Sequence, residues 1–160
     1  MKRLLVAIMC SLGLVSAATA ATTEADLIVP IRVFIDAFNQ GDLAGAEAMH
    51  LATGVVIIDE PTPYIWQGAG AFKAWANDVM AHDKAAGWSD QKMTLGKVVR
   101  ADSTGDGAYV VVEASYSFKH EGVAMNEDPS YMTFALRKIA AGWRIAGWTW
   151  TGSVPHHAKK

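Results

Sequence analysis

The sequence contains one cysteine, Cys10. A single thiol allows no internal disulfide framework and no thiolate zinc site. A surplus of positive charge is also missing, with 14 Lys and Arg against 16 Asp and Glu. A general nucleic-acid binder needs basic residues to displace counterions, so no nucleic acid is expected as a partner. Apolar runs of membrane length are absent too. The run Leu4 to Val15 spans 12 residues, whereas a bilayer span needs ~20. There is no glycine loop to cradle a phosphate and no Gly-x-Ser-x-Gly elbow. Residues 102–107 hold two aspartates and two glycines but not the ligand ladder of a calcium loop. No spacing among His50, His82, His120, His156 and His157 assembles three ligands. Neither a metal nor a cofactor is expected.

What is present is ample apolar material. Of 160 residues 51% are hydrophobic and 19% charged, enough to bury the core of one domain. Lys2 and Arg3 precede the apolar run, and Ala18-Thr19-Ala20 follows it with small residues where a signal peptidase reads. That order is the pattern of a secretory signal peptide over residues 1–20, cleaved near Ala20. The mature product is expected in the periplasm or secreted, with no membrane association. It would carry no cysteine and a net negative charge, since the cleaved segment removes two basic residues and no acidic ones.

Residues 21–25 are small and polar and are expected to fray. Leu27, Ile31, Phe34, Ile35 and Phe38 then share one helical face, with Pro30 placed to start or kink that helix. Gly41 suits its left-handed C-terminal position, and Asp42 can cap a second short helix reaching about Leu51. Val55–Ile58 reads as a strand, Pro61–Pro63 as a rigid turn and Tyr64–Gly68 as a short strand. Phe72, Trp75, Val79 and His82 or Asp83 mark a third helix to about Ala86. Strands follow at 93–101, 109–119, 130–139 and 143–151. The second puts Val110, Val112, Ala114, Tyr116 and Phe118 on one face, and the third does the same with Met132, Phe134 and Leu136. Residues 154–160 read as a polar tail. Helices followed by consecutive antiparallel strands imply an α+β fold.

Several pieces in order resemble the nuclear transport factor 2-like superfamily, which includes SnoaL-like cyclases and ketosteroid isomerases. They are Phe34 to Leu43, the strand ending Asp59-Glu60-Pro61, Trp66-Gln67-Gly68, the stretch Thr133 to Lys138, and Gly142-Trp143-Arg144-Ile145 with Trp148 and Trp150. The resemblance covers residues 21–153. It implies a cone-shaped barrel of three N-terminal helices packed on a curved, mostly antiparallel sheet, enclosing an apolar pocket, often in a homodimer. It also implies that Glu60, with Asp59 adjacent, stands where the isomerase base stands. The two isomerase oxyanion donors fall at Phe34 and Met132, which cannot donate. Ketosteroid isomerase activity is therefore not expected unless Tyr64, Tyr116 or a tryptophan supplies a donor.

Asp59 and Glu60 are the candidate catalytic residues. Adjacent on a strand, they would point to opposite faces, and one of them, raised in pKa by apolar walls, could accept a proton. Phe34, Tyr64, Trp66, Tyr116, Met132, Trp148 and Trp150 are the candidate ligand-binding residues. Three functions fit: an exported protein binding a small apolar molecule; an isomerase, cyclase or dehydratase using Asp59 or Glu60 as base; or a dimerisation or accessory module. An inward carboxylate opposite a donor would favour the enzyme, and a purely aromatic cavity would favour the binder. The processing expectation is checked by intact mass: exported protein should begin at Ala21, and a retained residue 1–20 segment or a lipid adduct on Cys10 would refute it.

Overall fold

A computed structural model describes residues 22–158; the expected signal peptide lies outside the described residues. Helix α1 (Glu24–Asn39) begins earlier than its apolar face suggests. Thr23 caps it by accepting from the Asp26 N–H, and Asp26 returns the bond by accepting from the Thr23 N–H at 2.8 Å. This reciprocal cap satisfies two otherwise unpaired donors and orders the stretch expected to fray. Pro30 lies inside the helix and is buried, so it neither starts the helix nor ends it. Gly41, at φ +74°, provides the left-handed residue that turns the chain away from α1.

Asp42 caps α2 (Leu43–Glu47) by accepting from the Gly45 N–H at 2.9 Å. The helix stops short of Leu51 because the next residues pair with a strand instead. The Ile145 N–H donates to the Met49 carbonyl, and the Leu51 N–H donates to the Ile145 carbonyl. Then come β1 (Val55–Ile58), β2 (Ile65–Gly68), α3 (Ala71–Ala85), β3 (Trp88–Thr104), β4 (Gly107–His120), β5 (Val123–Ile139), β6 (Gly142–Thr151) and β7 (His156–His157). Two strands start well before their expected positions, β3 at Trp88 and β5 at Val123. The polar tail also contributes: β7 pairs with β5 at Met125 and Asn126, and His156 Nε2 lies 2.9 Å from Asp128 Oδ1.

The sheet order is β2-β1-β6-β5-β4-β3, with β7 beside β5. All pairs are antiparallel except β1 with β6. Register shifts interrupt β3 against β4, β4 against β5 at Ala114/Tyr116, and β5 against β6 at Ala135/Leu136. Such irregularities bend strands and increase twist, and here they curl the sheet around the helices. The curl stops short of a closed barrel. Strands β2 and β3 remain unpaired with each other, and α3 packs against both as well as against β1. Among the described residues no helix is long and apolar enough to cross a membrane.

Phe34 sits at the middle of the core. Its ring lies 4.9 Å from His50, 5.8 Å from Trp148, 6.0 Å from Phe72 and 6.3 Å from both Phe38 and Trp75. Thus α1, the turn after α2, α3 and β6 meet on one side chain. The inward residues of β4 and β5, Val110, Val112, Met132, Phe134 and Leu136, are buried under the same helices. Truncating a fully buried aromatic removes its transfer energy and leaves a cavity. Phe34→Ala should cost ~3–5 kcal/mol in denaturant unfolding, and a loss below ~1 kcal/mol would put Phe34 outside the core.

Candidate functional site

Where the helices meet the open end of the cone, a cavity of ≈ 210 Å³ is left. Helix α1 contributes Phe38, and the spacing along α3 brings Trp75, Val79, His82 and Asp83 to one side. Strand β1 ends at Ile58, so Asp59 and Glu60 lie in the loop that follows it. The alternation of a strand no longer governs them, and both side chains line the same cavity. The expectation that they face opposite ways is corrected by that loop. Trp88 and Met93 come from β3, Tyr116 from β4, Glu127 from β5 and Trp150 from β6. Met93 is fixed by a two-way backbone bond to the Asn39 side chain, 2.8 and 2.9 Å, which ties the end of α1 to the cavity wall.

The polar groups are held unequally. Asp59 Oδ2 accepts from Trp75 Nε1 at 2.7 Å, and its Oδ1 accepts from the Glu60 N–H at 2.8 Å. Burial raises the Asp59 pKa above the ordinary carboxylate value, and these two bonds oppose the rise. The Glu60 carboxylate makes no hydrogen bond among the described residues; burial, then the neighbouring Asp59 charge, raises its pKa. Glu127 is 1% exposed, and its Oε2 accepts from Trp150 Nε1 at 3.1 Å. Burial first, and the charge of Glu60 second, push it up to about 7. Asp83 is also raised by burial, opposed by His82, whose Nδ1 lies 3.2 Å from Asp83 Oδ1. Burial likewise drives the Tyr116 phenol upward, so it stays a neutral donor.

Gly152 explains how two carboxyls approach each other. A β-carbon there would overlap Glu60 Oε1 and Trp150 Nε1 and stand 3.0 Å from Glu127 Oε2. The absence of a side chain lets Glu60 and Glu127 share one corner of the cavity.

Of the residues singled out from sequence, Asp59, Glu60, Tyr116 and Trp150 are brought together here. Five lie elsewhere. Phe34 and Met132 are sealed in the core. Trp148 belongs to the core as well: its Nε1 donates to His50 Nε2 at 3.1 Å, while His50 Nδ1 donates to the Ala46 carbonyl at 3.0 Å. That tautomer keeps the ring neutral, and burial lowers the His50 pKa to about 4. Trp66 points its Nε1 to Asp78 Oδ2 at 2.8 Å, away from the cavity. Tyr64 is 59% exposed on the turn before β2. The cavity residues Trp75, His82, Asp83, Trp88, Met93 and Glu127 were not among the sequence candidates. Trp75 and Asp83 carried a usable signal, because they fall on the same helical face.

The architecture is that of the nuclear transport factor 2-like superfamily, an α+β cone of three helices on a curved, unclosed sheet. The chain belongs to the SnoaL-like domain family, whose model matches residues 31–156. Among solved structures, it is similar to a ketosteroid isomerase-like protein from Erwinia carotovora atroseptica, with a TM-score of 0.63 at 20% identity, covering 82% of this chain and 96% of that one. A type 2 hexachlorocyclohexane dehydrochlorinase gives 0.69 at 7% identity, covering 84% and 88%. A candidate scytalone dehydratase from Novosphingobium aromaticivorans gives 0.67 at 7% identity, covering 85% and 87%. At these identities the likeness is one of fold. Among curated protein sequences none matches.

Glu127 links the site to stability. Its folded pKa of about 7 exceeds the ordinary 4.5, so its contribution is fully present below pH 4.5 and is lost as pH rises through 7. Glu127→Gln cannot ionise. Its melting temperature relative to wild type should therefore rise between pH 4.5 and pH 8. Parallel curves for the two proteins across that range would contradict the shift.

Proposed function

We propose that the protein is a cofactor-independent acid–base enzyme of the isomerase or lyase type, acting on a compact ring or carbonyl compound. The observation that carries this reading is the corner shared by Glu60 and Glu127, two carboxyls in unlike surroundings within one aromatic cavity. Pairs whose surroundings push their pKa values apart divide into a base and an acid. Glu60, free of hydrogen bonds among the described residues, is the base that takes a proton from carbon. Glu127, which keeps its proton to about pH 7, donates a hydrogen bond to the oxygen on which charge develops. Tyr116 supplies a second donor on the same wall. These two answer the loss of donors at Phe34 and Met132, from elements other than those the resemblance pointed to. Asp59, fully engaged by Trp75 and the Glu60 N–H, positions the loop that carries Glu60.

Relatives in fold lend support by their names, a dehydratase and a dehydrochlorinase among them, since both denote eliminations that remove a proton from the substrate. Carboxyls are costly to bury, so four of them around one aromatic cavity support a role for them in handling protons or charge. The signal-peptide pattern of residues 1–20 supports the reading that this activity lies outside the cytoplasm.

Proton abstraction from carbon is read directly by exchange. Compact cyclic ketones such as cyclohexanone, incubated with the protein in D2O, should exchange α-hydrogens measurably faster by NMR than without it. Glu60→Gln should abolish the acceleration, because a carboxamide cannot take the proton. The wild-type rate should rise with pH as Glu60 ionises and fall above about 7 as Glu127 loses its proton. Unchanged exchange in both Glu60→Gln and Asp59→Asn would end the carboxylate mechanism.

A further inference from the structure

The charge balance of the cavity is one-sided. Asp59, Glu60, Asp83 and Glu127 all line it, and among the described residues no lysine or arginine does. His82 is the single lining side chain able to become cationic, and it is already beside Asp83. Asp83 is 8% exposed and Glu127 1%. Burying carboxyls without a countercharge is costly.

The remaining wall is aromatic. The ring centroids of Trp88 and Tyr116 are 6.4 Å apart at an interplanar angle of 50°, and those of Tyr116 and Trp150 are 6.4 Å apart at 75°. Trp88 is braced from behind by Phe118, stacked at 4.0 Å. Three rings inclined to one another thus surround part of the space that the carboxyls enclose. Ring faces attract cations, most strongly where water is excluded, and inclined aromatic walls are a recurrent solution for alkylammonium groups.

We propose that the cavity receives a compact organic cation, with an alkylammonium group seated among Trp88, Tyr116 and Trp150 and facing the carboxyl of Asp83. The inference rests on the reading that this cavity is the substrate site, and it specifies the class of substrate. A bare metal ion is a poorer match: among the described residues no three His, Cys, Asp or Glu side chains converge closely enough to hold one. The cavity, ≈ 210 Å³ and open to solvent on one side, has room for a small ammonium compound.

The test compares choline with its uncharged isostere 3,3-dimethylbutan-1-ol, which has the same shape without the charge. Tryptophan fluorescence of the full chain is titrated with each at pH 7.5, with sodium chloride holding ionic strength constant. Choline should bind about tenfold more tightly or better, the scale of a desolvated cation–aromatic contact. Asp83→Asn, which removes the charge, and Trp88→Leu, which removes a ring face, should each bring the two affinities closer together, chiefly by weakening choline. Equal or tighter binding of the isostere to the wild-type protein would overturn the proposal. So would the absence of any response to choline at millimolar concentration, or a wild-type preference for choline that persists undiminished in both folded variants. Binding is read without turnover, so the two readings fail separately. Loss of cation preference leaves Glu60-dependent exchange standing, and absence of exchange leaves cation preference standing.

Discussion

The hydrogen bond from Trp75 Nε1 to Asp59 Oδ2 joins the interior of this protein to its cavity. The indole body belongs to the core, 4.9 Å from both Phe38 and Trp148. Its one polar atom emerges at the cavity and grips the loop after β1. An indole buried with its N–H unpaired would be costly, and so would a carboxylate buried without a donor. Each group removes the other's penalty, so the loop that carries Glu60 is fixed by the same side chain that holds α3 onto the core. Geometry in the cavity is therefore inherited from packing.

A division of labour among the acids follows from that arrangement. Asp59 is satisfied on both oxygens and serves as structure. Glu60, one residue on, is left without a partner among the described residues. Glu127 sits between these extremes, with one oxygen held by Trp150. Four carboxyls in one cavity thus differ because their neighbours differ, and the neighbours are set by which element each acid stands on.

Much of the fold was legible because its strands alternate cleanly. Val110, Val112 and Ala114 in β4, and Met132, Phe134 and Leu136 in β5, announce their inward faces. The first half of β5 does not. Asn126-Glu127-Asp128-Pro129 has the composition of a loop, and its pairing with β4 and β7 is set by tertiary contacts that no local pattern encodes. Glu127 was hidden for that reason, although a buried acid inside a strand is the most informative residue of the cavity. Asp59 and Glu60 were visible through their neighbouring proline, but their shared direction depends on the loop after β1 not continuing the strand's alternation, which local propensity does not resolve. Aromatic residues proved the least legible. Trp148 and Trp150 stand two apart on one strand, and the partner of each indole N–H, His50 for one and Glu127 for the other, distinguishes core from cavity wall.

The irregular register of β3 has a second effect, on encounters between molecules. As an edge of the sheet, β3 offers a 17-residue row of backbone groups to any passing strand, and long regular edges of this kind invite stacking into aggregates. Three register shifts break that row, and the exposed charges of Lys92, Lys97 and Arg100 are spaced along it. The bends that wrap the sheet over the cavity also deny the edge a straight template, so the curvature that shapes the cavity also disfavours edge-to-edge pairing of β3 with another strand.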